Sequence, residues 1–252
     1  VADLIPQILP GSADEFRLLT DAVGEKGYRQ IDINLGCPFP MIAGKHKGAG
    51  MLLYPAQVAE VLAPIAEYPE IQFSLKMRLG WENASECMVL VELLNTLRLS
   101  RIALHARTGK QQYKGHPDLE AFQGFYELCQ HPLYYNGGIE SLSDIRQILI
   151  RFPLLKGVFI GRGLLSSPLL AKEFKGNETF LPEQRMSIYF AFHEELFSAY
   201  SQVLQGETQL LVKMKTLWEY FLPETDRKLL KRIKKSTRLQ QYTESVKAIF
   251  TS

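Results

Sequence analysis

Residues 32–38 read Asp32-Ile33-Asn34-Leu35-Gly36-Cys37-Pro38. Ile31 and Ile33 give this segment the apolar character of a strand, and the strand then breaks into a Gly-Cys-Pro turn. Gly36 permits a sharp bend or the close approach of a ligand, and Pro38 ends the ladder because it has no N–H to donate. Core packing alone does not call for that turn chemistry. Cys37 is therefore read as a thiol held where a buried strand opens into a loop.

Working outward, five more strand-like runs accompany Gln30–Leu35: Leu4–Leu9, Gln72–Arg78, Arg101–His105, Leu133–Asn136 and Gly157–Ile160. They read as near-continuously apolar, the pattern of strands covered on both faces. Helix signals separate them. Ser12 and Glu15 form a capping box ahead of Phe16, Leu19 and Val23. Pro55 suits a first helical turn before Val58, Val61 and Leu62. Cys87-Leu90-Val91-Leu94, Leu119-Phe122-Tyr126-Cys129 and Ile145-Ile148-Leu149-Phe152 recur at helical spacing. Repeated strand–helix units predict an α/β fold with a parallel sheet. The expected form is a (β/α)8 TIM barrel, whose active sites form on the loops at the C-terminal ends of the strands. Six units are visible, and the chain opens on Val1 rather than Met. The expectation is that two leading strands are missing; an open, doubly wound six-stranded sheet is the competing reading. After Gly176 the strand signals give way to helical stretches at Pro182–Gln205, Thr208–Phe221, Glu224–Lys235 and Gln240–Phe250. This divides the chain into a barrel domain, residues 1–175, and a small all-helical domain, residues 176–252, joined by Lys175–Leu181.

The bulk numbers bound the class. The chain has 252 residues, 46% hydrophobic and 22% charged, with a net charge of only +2. Cys37, Cys87 and Cys129 lie far apart with no C-x-x-C pair, so neither a disulfide framework nor a metal site is expected. Cys87 and Cys129 fall on helical core positions. No run approaches the roughly 18 apolar residues of a membrane span, and no leader pattern opens the chain. A reducing, cytoplasmic setting and a monomer are expected.

Several further residues carry chemistry. Lys76 interrupts the apolar run Ser74-Leu75-Lys76-Met77-Arg78, where an ammonium group needs an anionic or hydrogen-bonding partner. His105 and Arg107 lie two residues apart at a strand end, so they point the same way. Ala43–Met51 is a Gly-rich, basic loop suited to closing over an anion. Asn136-Gly137-Gly138 and Gly161-Arg162-Gly163 each present backbone N–H groups ahead of a helical segment, an arrangement that binds phosphate. Together these groups suit flavin mononucleotide, with Lys76 and His105 on the ring and Cys37 facing it as a proton donor.

Five segments in order, Asp32–Pro38, Leu75–Trp81, Leu104–Thr108, Tyr135–Ile139 and Ile160–Gly163, resemble the tRNA-dihydrouridine synthase family. The resemblance spans about residues 4–170 and extends weakly into the helical region. It implies an FMN-dependent barrel that reduces uridines in tRNA to dihydrouridine with NADPH. Reduced flavin would deliver hydride to C6 of the uracil and Cys37 would protonate C5. The resemblance implies that Gln7, Lys76 and His105 contact the flavin ring, and that Asn136, Gly138, Gly161 and Arg162 cradle its phosphate. Asn34 and Arg107 would stand near the substrate. The family's A-P-M-type loop on the first barrel strand is not found in this chain, which leaves part of the flavin cover unaccounted for.

Charge supports an RNA partner independently. Between Lys213 and Arg238 nine basic residues face three acidic ones, so this stretch carries +6 and the remainder −4. A target uridine must leave its stack to be reached, and Arg107 with the Gly44–Gly50 loop is the candidate grip. Three alternatives differ in class. A flavin barrel acting on a free pyrimidine, dihydroorotate dehydrogenase-like, needs no basic tail. A Schiff-base aldolase would use Lys76 as nucleophile and would be trapped by borohydride. A non-catalytic tRNA binder would not depend on Cys37.

Overall fold

The structure, a computed structural model, describes residues 4–251. Its six strands are β1 (Gln7–Ile8), β2 (Gln30–Leu35), β3 (Gln72–Gly80), β4 (Leu99–Thr108), β5 (Leu133–Asn136) and β6 (Gly157–Phe159). All neighbours are parallel, and the order across the sheet is the order along the chain. A doubly wound sheet reverses its strand order at a switch point, and none occurs here. Right-handed crossovers with no reversal put every connecting helix on one face, the construction of a barrel. The open-sheet alternative is thereby set aside. β1 and β6 form the two edges among the described residues.

The strands alternate more sharply than their composition suggests. Ile31, Ile33 and Leu35 of β2, Phe73, Leu75, Met77 and Leu79 of β3, and Ile102, Leu104 and Ala106 of β4 are all fully buried. This is the helix-covered face. Phe16 of α1 (Ala13–Gly24) stacks obliquely on Phe73, and Phe122 of α5 (Leu119–Leu128) meets Tyr135 of β5 edge-on. The opposite face carries polar side chains in register: Gln7, Asp32 and Ser74 in one row, Asn34 and Lys76 in the next, then Arg78, His105 and Asn136. The reading of these strands as apolar on both faces is corrected accordingly. One face is core and the other is chemically equipped.

Helix boundaries follow their caps. Ser12 Oγ accepts from Glu15 N at 3.2 Å, while the Glu15 carboxylate takes Gly11 N at 2.8 Å. Asp118 caps α5 through Ala121 N. Between β2 and β3 lie α2 (Pro40–Ala43), a 3-10 turn over Gly48–Leu53 and α3 (Pro55–Leu62). Between β3 and β4 lies α4 (Glu86–Thr96), which buries Cys87 and Leu90.

The chain divides into two compact units. The sheet unit runs to Gly138 and includes Ile145–Phe159; the second comprises Ile139–Asp144 and Ile160 onward. The boundary expected after residue 175 follows the change in sequence texture, whereas the division by compactness falls earlier, at Ile160. Helix α6 (Leu142–Arg151) contributes to both units. The second unit is helical: α7 (Arg162–Ser166), α8 (Leu170–Gly176), α9 (Pro182–Val203), α10 (Glu207–Leu217), α11 (Arg227–Lys235) and α12 (Leu239–Phe250). Its core is Met214, Trp218, Phe221, Ile233, Tyr242 and Val246. No helix among the described residues is long and apolar enough to cross a membrane.

Candidate active site

Cys37 is half-buried, two residues beyond the C-terminal end of β2, and its backbone is pinned from both sides. Asn34 Oδ1 accepts from Gly36 N at 2.9 Å and from Cys37 N at 2.8 Å. The Cys37 carbonyl accepts from Ala49 N at 3.0 Å. Gly48 has φ of 57°, and a Cβ there would sit 2.9 Å from both the Cβ and the carbonyl oxygen of Cys37. Only glycine lets the returning loop lie this close. Composition alone makes Gly44–Gly50 a loop that closes over a ligand. Its second half, Gly48–Gly50, is instead buried against the thiol-bearing turn.

Asn34 therefore shapes the turn. Its amide nitrogen donates to Gln7 Oε1 at 2.7 Å, and Gln7 Nε2 donates to Asp32 Oδ2 at 2.6 Å. Asp32 Oδ1 accepts from Ser74 Oγ at 2.6 Å. Lys76 stands beside Asn34 in register and forms no hydrogen bond or ion pair among the described residues. Burial pushes its ammonium below the usual lysine range and the Arg78 charge pushes the same way, while Asp32 and Cys37 oppose the shift.

Arg78, which sequence reasoning left out, is 1% exposed. Its guanidinium donates to the carbonyls of Gly36 at 3.0 Å, Thr108 at 2.8 Å and Gln112 at 2.7 Å. It also lies 5.4 Å from the centre of the Tyr113 ring. Burial pulls its pKa down to about 10. No carboxylate forms an ion pair with it among the described residues. A signal for it exists in the sequence: Arg78 is two residues from Lys76 on a strand, so both side chains leave the same face.

β4 extends three residues past its expected end, which places His105 and Arg107 inside the strand, both buried. Arg107 Nη1 lies 3.2 Å from His105 Nε2, and its guanidinium donates twice to the Gly115 carbonyl. Asn136 donates to the Phe159 carbonyl at 2.8 Å, tying β5 to β6. Gly137, with φ of 131°, lies where a Cβ would come 3.1 Å from the His105 ring. Gly138 follows with φ of 62° and is exposed. The structure thus brings Gln7, Asn34, Cys37, Lys76, His105, Arg107, Asn136 and Gly138 to one face and one end of the sheet unit. Gly161 and Arg162 belong to the second unit, where Gly161 is the N-cap of α7 and both are exposed. Cys87 packs in the core, its thiol pushed up to about 12 by burial, and Cys129 ends α5 with its thiol also raised by burial.

In the helical unit, α11 buries Ile233 and turns Lys228, Lys231, Arg232 and Lys235 onto a cavity of about 420 Å³ shared with Gln241 and Glu244 of α12. Asp226 starts the helix by accepting from Lys228 N and Leu229 N.

A strictly sequential parallel sheet with a fixed thiol and basic side chains on one face defines an α/β scaffold of the barrel type. The model of the dihydrouridine synthase (Dus) family matches residues 3–251, and the chain belongs to that family. It is 28% identical over 174 residues to tRNA-dihydrouridine synthase B of Vibrio vulnificus, covering 66% of this chain and 54% of that protein. It is 32% identical over 139 residues to a probable tRNA-dihydrouridine synthase of Rhizobium leguminosarum, covering 55% of this chain and 44% of that protein. The chain spans about half the length of the curated relatives it matches. Among solved structures it is similar to morphinone reductase, with a TM-score of 0.49 and 14% identity over 69% of this chain and 51% of that one.

Proposed function

We propose that this chain acts in the reduction of uridines in tRNA to 5,6-dihydrouridine, with FMN as cofactor, NADPH as electron source and Cys37 as proton donor. The observation that carries the proposal is the fixing of Cys37 by Asn34 and Ala49 at the C-terminal end of a polar sheet face. Membership of the dihydrouridine synthase family supports this reading.

The residues fit a flavin. Lys76 is desolvated without an ion-pair partner among the described residues, so an anionic or electron-rich ring edge would relieve it. His105 and Gln7 would meet the same ring. Gly138 is exposed beside Asn136 with φ of 62° and its backbone suits a phosphate, and in the second unit Gly161, with open space around it, and Arg162 offer a cradle of the same kind. A bound flavin would supply hydride to C6 of the uracil. Cys37 would donate its Sγ proton to C5 on the opposite side of the same double bond and recover it from solvent. Asn34 and Arg107 would hold the base, and the basic face of α11 would take backbone phosphates. The protein would work as a cytoplasmic monomer.

The test begins with the visible absorption spectrum of the protein, followed by mapping of dihydrouridine in tRNA from a strain lacking it. Cys37→Ala is expected to retain the flavin band and lose about 10²-fold or more in uridine reduction. Equal activity would remove Cys37 as donor. Affinity for tRNA should fall steeply with salt, and Lys231→Glu with Lys235→Glu should flatten that dependence by about one to two phosphate contacts. A flat salt response in the parent would favour a free pyrimidine as substrate.

A further inference from the structure

We infer that Asp32 is a positioning residue for Cys37, acting through Gln7 and Asn34; as a role in uridine reduction this rests on the function proposed above. The inference comes from the direction of a hydrogen-bond chain. The Cys37 and Gly36 N–H groups can only donate, so the Asn34 oxygen must face them and its NH2 must face Gln7. Gln7 must then present its oxygen to Asn34 and its NH2 to the next group. That group is Asp32, which as a carboxylate can only accept. Each amide has one orientation that satisfies both neighbours, selected by the turn N–H groups at one end of the chain and by the carboxylate at the other. Ser74 holds the second carboxylate oxygen and stops Asp32 from turning away. The chain links three strands and four side chains at 2.6–2.7 Å before reaching the turn.

An amide in place of Asp32 removes the fixed acceptor. Gln7 can then turn over and set its NH2 against that of Asn34, a pairing of two donors. The Asn34 amide then loses its brace on the Gln7 side and is held only by the Gly36 and Cys37 N–H groups, so one of the two pins on the Cys37 backbone is loosened. The Asp32 charge also acts on Lys76, so the variant removes a negative charge that favours that ammonium.

The test is a double-mutant cycle with Asp32→Asn and Gln7→Glu, read first by the rate at which a haloacetamide labels Cys37 at fixed pH. Peptide mapping separates Cys37 from Cys87 and Cys129. Asp32→Asn is expected to change the labelling rate severalfold, and Gln7→Glu, which sets two carboxylates together, to change it as well. In the double variant the order of donors is restored: the amide now at position 32 donates to the carboxylate now at position 7, and that carboxylate accepts from Asn34. Labelling should return to within about threefold of the parent, a coupling that independent structural damage would not produce. Uridine reduction by Asp32→Asn should fall about 10–100-fold in kcat with little change in KM for tRNA, as for a misplaced reacting group. Unchanged labelling in Asp32→Asn, or a double variant no better than the singles, overturns the inference. Labelling requires no turnover. A protein that reduces no uridine but shows the coupling would refute the proposed function and leave the positioning intact.

Discussion

Replacing Arg78 with Met should destabilise the sheet unit by about 2–4 kcal/mol. Met nearly conserves the buried volume, so the loss measures hydrogen bonds rather than a cavity. Arg78 satisfies three carbonyls. Gly36 and Thr108 are buried, and each stranded carbonyl costs about 1–3 kcal/mol. Gln112 is exposed, so its carbonyl can return to water at little cost. That gives roughly 2–6 kcal/mol, of which a part is regained because no guanidinium is desolvated. At the upper end the midpoint of thermal unfolding drops by roughly 10 °C. Arg78→Lys should lie between, because one ammonium has no planar fork to span carbonyls on separate segments. Urea unfolding followed by circular dichroism, with Trp81 fluorescence reporting beside β3, makes the measurement. If Arg78→Met unfolds within about 0.5 kcal/mol of the parent, the three bonds are not holding the turn, β3 and the end of β4 together.

Gly48→Ala should cost about 2–4 kcal/mol, combining a left-handed backbone with an overlap on Cys37, and should shift the haloacetamide rate of that thiol; wild-type labelling with wild-type stability would refute the packing. His193 is fully buried in the helical unit, its Nε2 2.7 Å from the Tyr242 hydroxyl, and burial holds its pKa below 6.5 although Glu194 opposes the shift. Its folded value is depressed, so the associated stability is complete above the unfolded pKa and is lost as pH falls below about 6.5, at up to about 1.4 kcal/mol per pH unit. His193→Gln should flatten that slope in pH-dependent unfolding, and an unchanged slope would mean that other groups set it.

Packing positions are the legible part of this molecule. Phe16, Val58, Leu90 and Phe122 announce helices by their spacing, and each is buried as expected. The strand alternation is harder to read. Met77 and Leu79 next to Leu75 suggest an unbroken apolar run, and only Ser74, Lys76 and Arg78 taken together expose the period of two. Treating Lys76 as an isolated anomaly hides Arg78. The loop after Cys37 misleads for a different reason. Glycine clusters signal either mobility or close approach, and composition does not separate them. In Gly48–Gly50 the cause is backbone packed on backbone. The Gln7–Asn34 bond lies beyond any local pattern, because 27 positions separate two residues joined only by strand register.

That register explains why so many polar residues sit in strands that could have been apolar. A sheet needs only one covered face to fold, and here Phe73, Leu75, Met77 and Leu79 supply it on β3 alone. The second face is then free to carry groups that oppose folding. Lys76 loses hydration, and Arg78 is buried without a carboxylate partner among the described residues. A carboxylate paired with Arg78 would add the desolvation cost of a second buried charge, and it would also cancel the positive charge of this face. Carbonyl oxygens satisfy the guanidinium while leaving its net charge in place. Arg78 can therefore brace the Cys37 turn and still keep the face electropositive, the charge that the proposed flavin phosphate and tRNA would call for.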